Sequence, residues 1–346
     1  MKFQTSSIRK YLCAAAAALV ALAVAGCDNS APEEKASAAP QISQTQQQAQ
    51  PQDEQAIALN IGTLKIAALS NLYAADRLGY FQQEGVKATF TQMGGGAELL
   101  PAVSAGKIDI TLSIPSNAIQ ARDKGFDFRM VMQNEVAAAQ GSDSQAVFVN
   151  GDSGIANVKD LKGKRIAVNF IGNQMWLSLV EVLKQNGIGK DEVSFIELPF
   201  PNMQDALVNK QVDAVFNVEP FTSRMKANPA LKVISYAAVE ALPGQPVGTF
   251  WASGKWLESH PQAAGKFVRA MNKANEYLAQ HPDEARKMVS EYTGLKPEAV
   301  EQMGPILWSS KVDPATLQRL LDLMKEHGLI ASDMKVEDVV FPTAMQ

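Results

Sequence analysis

From Leu64 onward the chain alternates short apolar runs rich in Val, Ile and Phe with longer stretches in which apolar residues recur every three or four positions. The first pattern predicts strands and the second helices. Strands are expected at 64–69, 86–92, 108–113 and 128–133, and again at 165–169, 193–198, 212–216 and 231–236. Strands that alternate with helices imply an α/β fold with parallel sheets, and two sets of four imply two lobes. Two further runs, QAVFVN at 145–150 and VGTFWAS at 247–253, are read as the crossings between the lobes. Beyond them, helical patterns at 261–280, 282–292, 297–307 and 314–327 each open on proline, which suits a first helical turn because the missing N–H has no intrahelical partner there. These helices are expected to return to the first lobe. That lobe is then discontinuous, 57–146 with 251–346, and the second spans 147–250.

A weak internal repeat supports two similar lobes. Lys65-Ile66-Ala67 recurs as Arg165-Ile166-Ala167, and Ala102-Val103 before Ile108-Asp109-Ile110 recurs as Ala206-Leu207 before Val212-Asp213-Ala214, at offsets of 100 and 104 residues. In each half the third strand carries Asp at its second position.

The first 56 residues have a different character. Lys2, Arg9 and Lys10 precede the uncharged stretch YLCAAAAALVALAVAGC at 11–27, which is shorter than the ~20 apolar residues of a spanning helix and reads as a secretory signal. Its end, Val24-Ala25-Gly26-Cys27, is similar to a bacterial lipoprotein box. That resemblance implies removal of residues 1–26, lipidation of Cys27 and, with Asp28 following, retention at the inner membrane facing the periplasm. Residues 27–56 are rich in Ala, Gln, Pro and Ser with almost no large apolar side chain, too little to drive ordering, so they are expected to form a disordered tether. Losing the three leader cations takes the formal charge from −4 to −7. With a sequence pI near 5.6, nucleic acid is disfavoured as a partner. Both cysteines lie in the first 27 residues, so the mature domain has no thiol chemistry.

Five collinear motifs carry a family resemblance: ADRLGYFQQEG at 75–85, Gly94-Gly95-Gly96, Ala105-Gly106-Lys107-Ile108-Asp109, DLKGKRIA at 160–167, and Val212-Asp213-Ala214 through Glu219-Pro220-Phe221. Together they resemble the periplasmic solute-binding proteins of ABC importers, in the branch that handles aliphatic sulfonates, taurine, nitrate and pyrimidine precursors. The resemblance implies a type II binding protein: two similar α/β lobes, joined by two hinge crossings, that close on a small organic anion or zwitterion and present it to the transmembrane subunits of a permease. A monomer with no cofactor and no metal is expected.

In open α/β sheets, ligands sit beyond the carboxyl ends of the strands, where helix N-termini offer free N–H groups. That places candidate ligand contacts in six loops. In the first lobe they are Ser70, Asn71 and Tyr73, then Gly95 and Gly96, then Ser116 and Asn117. In the second they are Asn169, Asn173 and Trp176 in the loop 169–176, then the loop 199–203, then Asn217, Glu219 and Phe221. Phe170 and Trp251 are further candidates for aromatic walls. Relatives that bind sulfonates usually carry a serine-rich turn and a histidine where this chain has Gly172-Asn173-Gln174-Met175-Trp176, which weakens the case for a sulfonate. Glu219, if it faces the cleft, disfavours a bare inorganic anion.

Two other readings stand beside this one. A eukaryotic branch of the fold makes a pyrimidine with histidine and cysteine chemistry, but His260, His281 and His327 all sit at expected helix boundaries. No zinc spacing, nucleophile elbow or P-loop occurs, so no catalytic residue is assigned. The other is a docking or sensory lipoprotein with a degenerate cleft.

Overall fold

The computed structural model describes residues 56–94 and 96–345. The expected leader, Cys27 and all of the tether but its last residue fall outside the described residues, as does Gly95. Among the described residues no helix is long and apolar enough to cross a membrane.

The first sheet is seeded by β1 (Ile57–Thr63), β2 (Val86–Gln92), β3 (Ile110–Ser113) and β4 (Phe128–Val136). Between them run α1 (Ser70–Arg77), α2 (Tyr80–Gln83), α3 (Gly96–Ser104) and α4 (Pro115–Asp123). The second sheet holds β5 (Gln145–Asn150), β6 (Arg165–Val168), β7 (Ser194–Glu197), β8 (Ala214–Val218) and β9 (Leu231–Ser235). Its helices are α5 (Gln174–Gln185), α6 (Phe200–Val208), α7 (Phe221–Lys226) and α8 (Ala237–Ala241). The chain then returns through β10 (Pro246–Ser253), α9 (Gly254–Ser259), α10 (Pro261–Gln280), α11 (Pro282–Thr293), α12 (Pro297–Glu301), β11 (Leu307–Trp308), α13 (Pro314–Glu326) and α14 (Val336–Val339).

The two sheets share one plan. Their orders are β11-β4-β10-β3-β1-β2 and β7-β6-β8-β5-β9. In each, two βα units place three strands in parallel, and one antiparallel strand is wedged beside them: β10 between β3 and β4, β5 between β8 and β9. These wedges are the two runs expected to be crossings. Both are apolar and almost wholly buried, so each has a sheet to sit in. The chain passes between the lobes just before them, at 137–144 and, after α8, at 242–245. Asp143 ties down the first crossing, accepting from the backbone N–H of Ala138 at 2.7 Å and of Gln145 at 3.0 Å.

The repeat is real but slipped by five residues in its first strand. Asp109 accepts from the N–H of Asn60 at 2.7 Å, as Asp213 accepts from the N–H of Arg165 at 2.8 Å. Asn60, not Lys65, is therefore the counterpart of Arg165. The expected strand at 64–69 is instead a loop ending in a 3-10 turn, Ala67–Leu69, that feeds α1. The strand itself lies earlier, in the alternating segment IALNIGT. One position in β1 has no spare volume: a Cβ on Gly62 would lie 2.3 Å from Ile108 Cδ1 and 2.9 Å from Thr111 Oγ1. Gly62→Ala is expected to destabilise the protein by about 1–3 kcal/mol through overpacking, read as a lower urea midpoint at unchanged slope.

The proline-led helices form as expected, with one exception. The pattern at 297–307 stops at Glu301, because Gly304-Pro305 follows and proline disfavours helical backbone in the residue before it; Leu307 and Trp308 then pair with the edge of β4. α10 and α11 pack on α1 in the first lobe. α13 differs from the expectation that it returns wholly to the first lobe, since it also packs on α5 of the second. Leu317, Leu320, Leu321 and Met324 share a core with Leu179, Val180 and Leu183. At the rim of that seam, Glu181 meets His327 at 3.1 Å and Lys184 pairs with Glu326.

Candidate functional site

Between the carboxyl ends of the two sheets lies a cavity of about 390 Å3. The first lobe contributes the segment after β1 (Leu64, Ile66, Ala67, Ala68), the end of β3 with the start of α4 (Ser113, Ile114, Asn117), Glu135 from β4, and Val247 and Gly248 from β10. The second lobe contributes Ser144 and Gln145, Phe200 at the start of α6, and Val218 and Glu219 at the end of β8. Met303 and Ile306, in the turn between α12 and β11, complete it. A smaller recess of about 140 Å3 shares Ile114, Gln145, Phe200, Val218 and Val247 with the cavity and reaches Asn169, Gln174, Ser178 and Gln245.

The polar groups here fall into satisfied and unsatisfied sets. Glu219 is satisfied. Its carboxylate accepts from the backbone N–H groups of Gly304 at 3.0 Å and Ser223 at 3.2 Å, while the single hydroxyl hydrogen of Ser223 serves either the Gln302 carbonyl at 2.5 Å or Glu219 at 2.9 Å. These bonds tie α7 of the second lobe to the 302–306 turn, so Glu219 both lines the cavity and fastens its lip. Glu135 is not satisfied. Among the described residues no hydrogen bond or ion pair reaches its half-buried side chain, and burial pushes its carboxyl up to about 7, with the negative charge of Asp143 adding to the rise.

In the recess the amides are fixed by their surroundings. Gln174 Nε2 donates to the Pro246 carbonyl at 2.5 Å and to Gln245 Oε1 at 2.8 Å, and Gln245 Nε2 donates to the Ala238 carbonyl at 2.6 Å. Carbonyls only accept, so both amides can point only one way. Gln174 Oε1 is then left buried without a donor.

The structure distributes the expected contacts unevenly. Asn117 and Glu219 line the cavity and Asn169 lines the recess. Gly96 is the first residue of α3, and Ser70 and Ser116 are fully buried beside the cavity segments with unpartnered hydroxyls. Other residues are taken up by the fold. Asn71 is fully buried, accepting from Leu72 N and donating to Asn134 and Asn275. Tyr73 packs on Tyr292 and accepts from Arg77. Asn173 caps α5 through Trp176 N, and Trp176 itself is core, edge-on to Phe195. Asn217 is buried, bonded to the Phe200 carbonyl and Val218 N. Phe221 stacks on Phe200, with ring centres 6.4 Å apart, and does not line the cavity. Trp251 is wholly buried in β10, while Phe170 is exposed. Sequence reasoning reached Gln174 and Phe200 only as members of the loops 169–176 and 199–203, and it missed Glu135, Ser144, Gln145 and the 303–306 turn. The signal for Phe200 is its place between Pro199 and Pro201, where it opens α6 with two residues between it and the end of β7.

Among the described residues one cluster, Glu181, Glu326 and His327, brings three potential metal-binding side chains together. Lys184 and Arg319 already pair with those carboxylates, and the cluster lies at the α5–α13 seam.

Known proteins are similar to this chain in sequence and in fold. A putative aliphatic sulfonates-binding protein of Bacillus subtilis is 29% identical over 241 residues, 68% of this chain and 70% of that protein. A 4-amino-5-hydroxymethyl-2-methylpyrimidine phosphate synthase of Aspergillus parasiticus is 21% identical over 238 residues, 65% of this chain and 66% of the synthase. Among solved structures, the periplasmic aliphatic sulphonate binding protein SsuA of Escherichia coli superposes with a TM-score of 0.69 at 19% identity, covering 82% of this chain and 97% of that one. The periplasmic nitrate-binding protein NrtA of Synechocystis gives 0.65 at 14% identity, over 82% and 86%. The fold is thus the two-lobe α/β fold of periplasmic binding proteins. A family model described as NMT1/THI5 like matches residues 67–285, well over half of the chain, and the protein belongs to the NMT1/THI5-like family.

Proposed function

We propose that the protein is the solute-binding component of an ABC importer, which captures a small organic anion or zwitterion between its lobes and hands it to the permease. The observation that carries this reading is the cavity itself. It lies beyond the carboxyl ends of both sheets and is walled by both lobes and both approaches to the crossings, so closure of the lobes would surround a ligand on every side. Its apolar walls, Leu64, Leu112, Phe200, Met303 and Ile306, suit a carbon body. At the first turn of α4, Asn117 and the partial positive charge of the helix end suit an anionic group. The named Bacillus and Escherichia relatives, both sulfonate-binding, support the same class of activity. Delivery on the periplasmic side by a monomer tethered through lipidated Cys27 belongs to this proposal.

An enzyme reading draws on the fungal synthases, and the histidines speak against it. His260 and His281 stack on Trp256 and Tyr277 and bond to backbone carbonyls, and His327 pairs with Glu181. None of the three lines the cavity.

A thermal-shift screen of the purified protein against sulfonates, taurine, nitrate, aromatic acids and pyrimidines tests the proposal. A ligand at 100 times its dissociation constant is expected to add about 2.7 kcal/mol, several degrees in a protein of this size. A folded protein that shifts with none of these classes would sink the reading in favour of a docking lipoprotein.

A further inference from the structure

The cavity and its recess hold two acceptors that no described residue satisfies. One is the half-buried carboxyl of Glu135 on the cavity wall, which no donor or cation among the described residues reaches; the other is Gln174 Oε1, buried and held in place by the bonds its own amide nitrogen makes. An acceptor withdrawn from water without a donor is destabilising, more so when charged, so such groups are retained where something arrives to satisfy them. Among the described residues that line the cavity and the recess there is no Lys, Arg or His. The titratable groups that do line them, Glu135 and Glu219, are both acidic. A ligand with only negative charge would find no counter-ion and would lie beside a carboxyl at low dielectric.

Building on the proposed solute-binding role, we propose that the solute carries a nitrogen cation, an ammonium or amidinium group, that seats on Glu135, and that it offers a further N–H toward Gln174. Glu135 is then the residue that separates zwitterions and cations from monoanions of the same shape. A cation there keeps the carboxylate ionised and supplies charge-assisted hydrogen bonds, the stronger kind. Glu219 does not compete for it, because both of its oxygens are engaged at the lip.

The test is calorimetric titration of the full-length protein with matched pairs: taurine against ethanesulfonate, and benzamidine against benzoate. The nitrogen-bearing member is expected to bind roughly tenfold tighter or more. Glu135→Gln is expected to erase that preference, and Gln174→Met to weaken the nitrogen-bearing member alone. Circular dichroism of each variant checks that it is folded. Equal or tighter binding of ethanesulfonate or benzoate, or a preference that survives in Glu135→Gln, would overturn the role of Glu135 while leaving the solute-binding role intact. Silence from all four probes, together with an unresponsive thermal screen, would overturn both.

Discussion

In the ligand-free protein, Glu135→Gln is expected to raise the melting temperature by several degrees at pH 8 and to leave it unchanged at pH 4. The cause is the environment of the carboxyl, which raises it from the usual 4.5 to about 7. Below 4.5 the group is protonated whether the chain is folded or not, and it has no effect on stability. Between 4.5 and about 7 the unfolded chain ionises while the folded protein holds its proton, so the folded state binds more protons and stability falls as pH rises. Above about 7 the full penalty is present, on the order of 2–3 kcal/mol given that the side chain is only half-buried. Gln has the same shape and no charge to desolvate. The wild-type curve minus the variant curve isolates this one group from every other titration. A difference that is flat from pH 4 to pH 8 would show that the carboxyl is not desolvated.

Trp251→Ala is expected to have the largest effect on folding, a loss of about 3–5 kcal/mol. Trp251 has no exposed surface and sits on β10, where it pairs with Thr111 of β3 on one side and Met130 of β4 on the other. Its indole N–H donates to Thr249 Oγ1 at 2.6 Å, so truncation leaves a cavity and leaves that buried hydroxyl with only its bond to the Ser113 carbonyl. Urea unfolding monitored by far-ultraviolet circular dichroism measures the loss. A change below about 1 kcal/mol would mean that the core around β10 collapses into the space.

Trp251 also illustrates where reading the sequence succeeded and where it did not. Seven of the eight expected strands form within a few residues of their predicted bounds, and the helix starts at Pro261, Pro282, Pro297 and Pro314 hold, because local physics decides those features: side-chain period, and a proline whose missing N–H is harmless at a first turn. QAVFVN and VGTFWAS sit within the sheets, not at the crossings, because a run with an apolar centre has the same appearance in any buried strand, and only the partners on either side reveal that it is central and antiparallel. The five-residue slip at Lys65 has the same origin. LKIAAL is apolar enough for a strand, and the hydrogen bond from Asn60 to Asp109, which sets the true register, is a contact across 49 residues.

The cleft was legible at the level of loops and not of side chains. The loops beyond β1, β3, β7 and β8 do wall the cavity. Within them, Asn71 and Asn217 carry the polar groups a binding site needs but use them to satisfy buried backbone and neighbouring amides, and no local pattern distinguishes those uses. Glu135 was missed for the opposite reason. It ends a strand that reads as ordinary core, and its distinction is a donor that is absent, which becomes visible only when β4, β10 and the 303–306 turn are assembled around it.

The wedge strands have a consequence for how the chain is made. The second lobe is continuous, and its five strands have all been synthesised once Ser235 is complete. The first lobe begins earlier, yet β3 and β4 touch only through β10, so their facing edges stay bare until Ser253 has been added. Bare strand edges are open to pairing with other chains. Over more than a hundred residues of synthesis the older half of the molecule is therefore the unfinished one, and the half born second can be completed first.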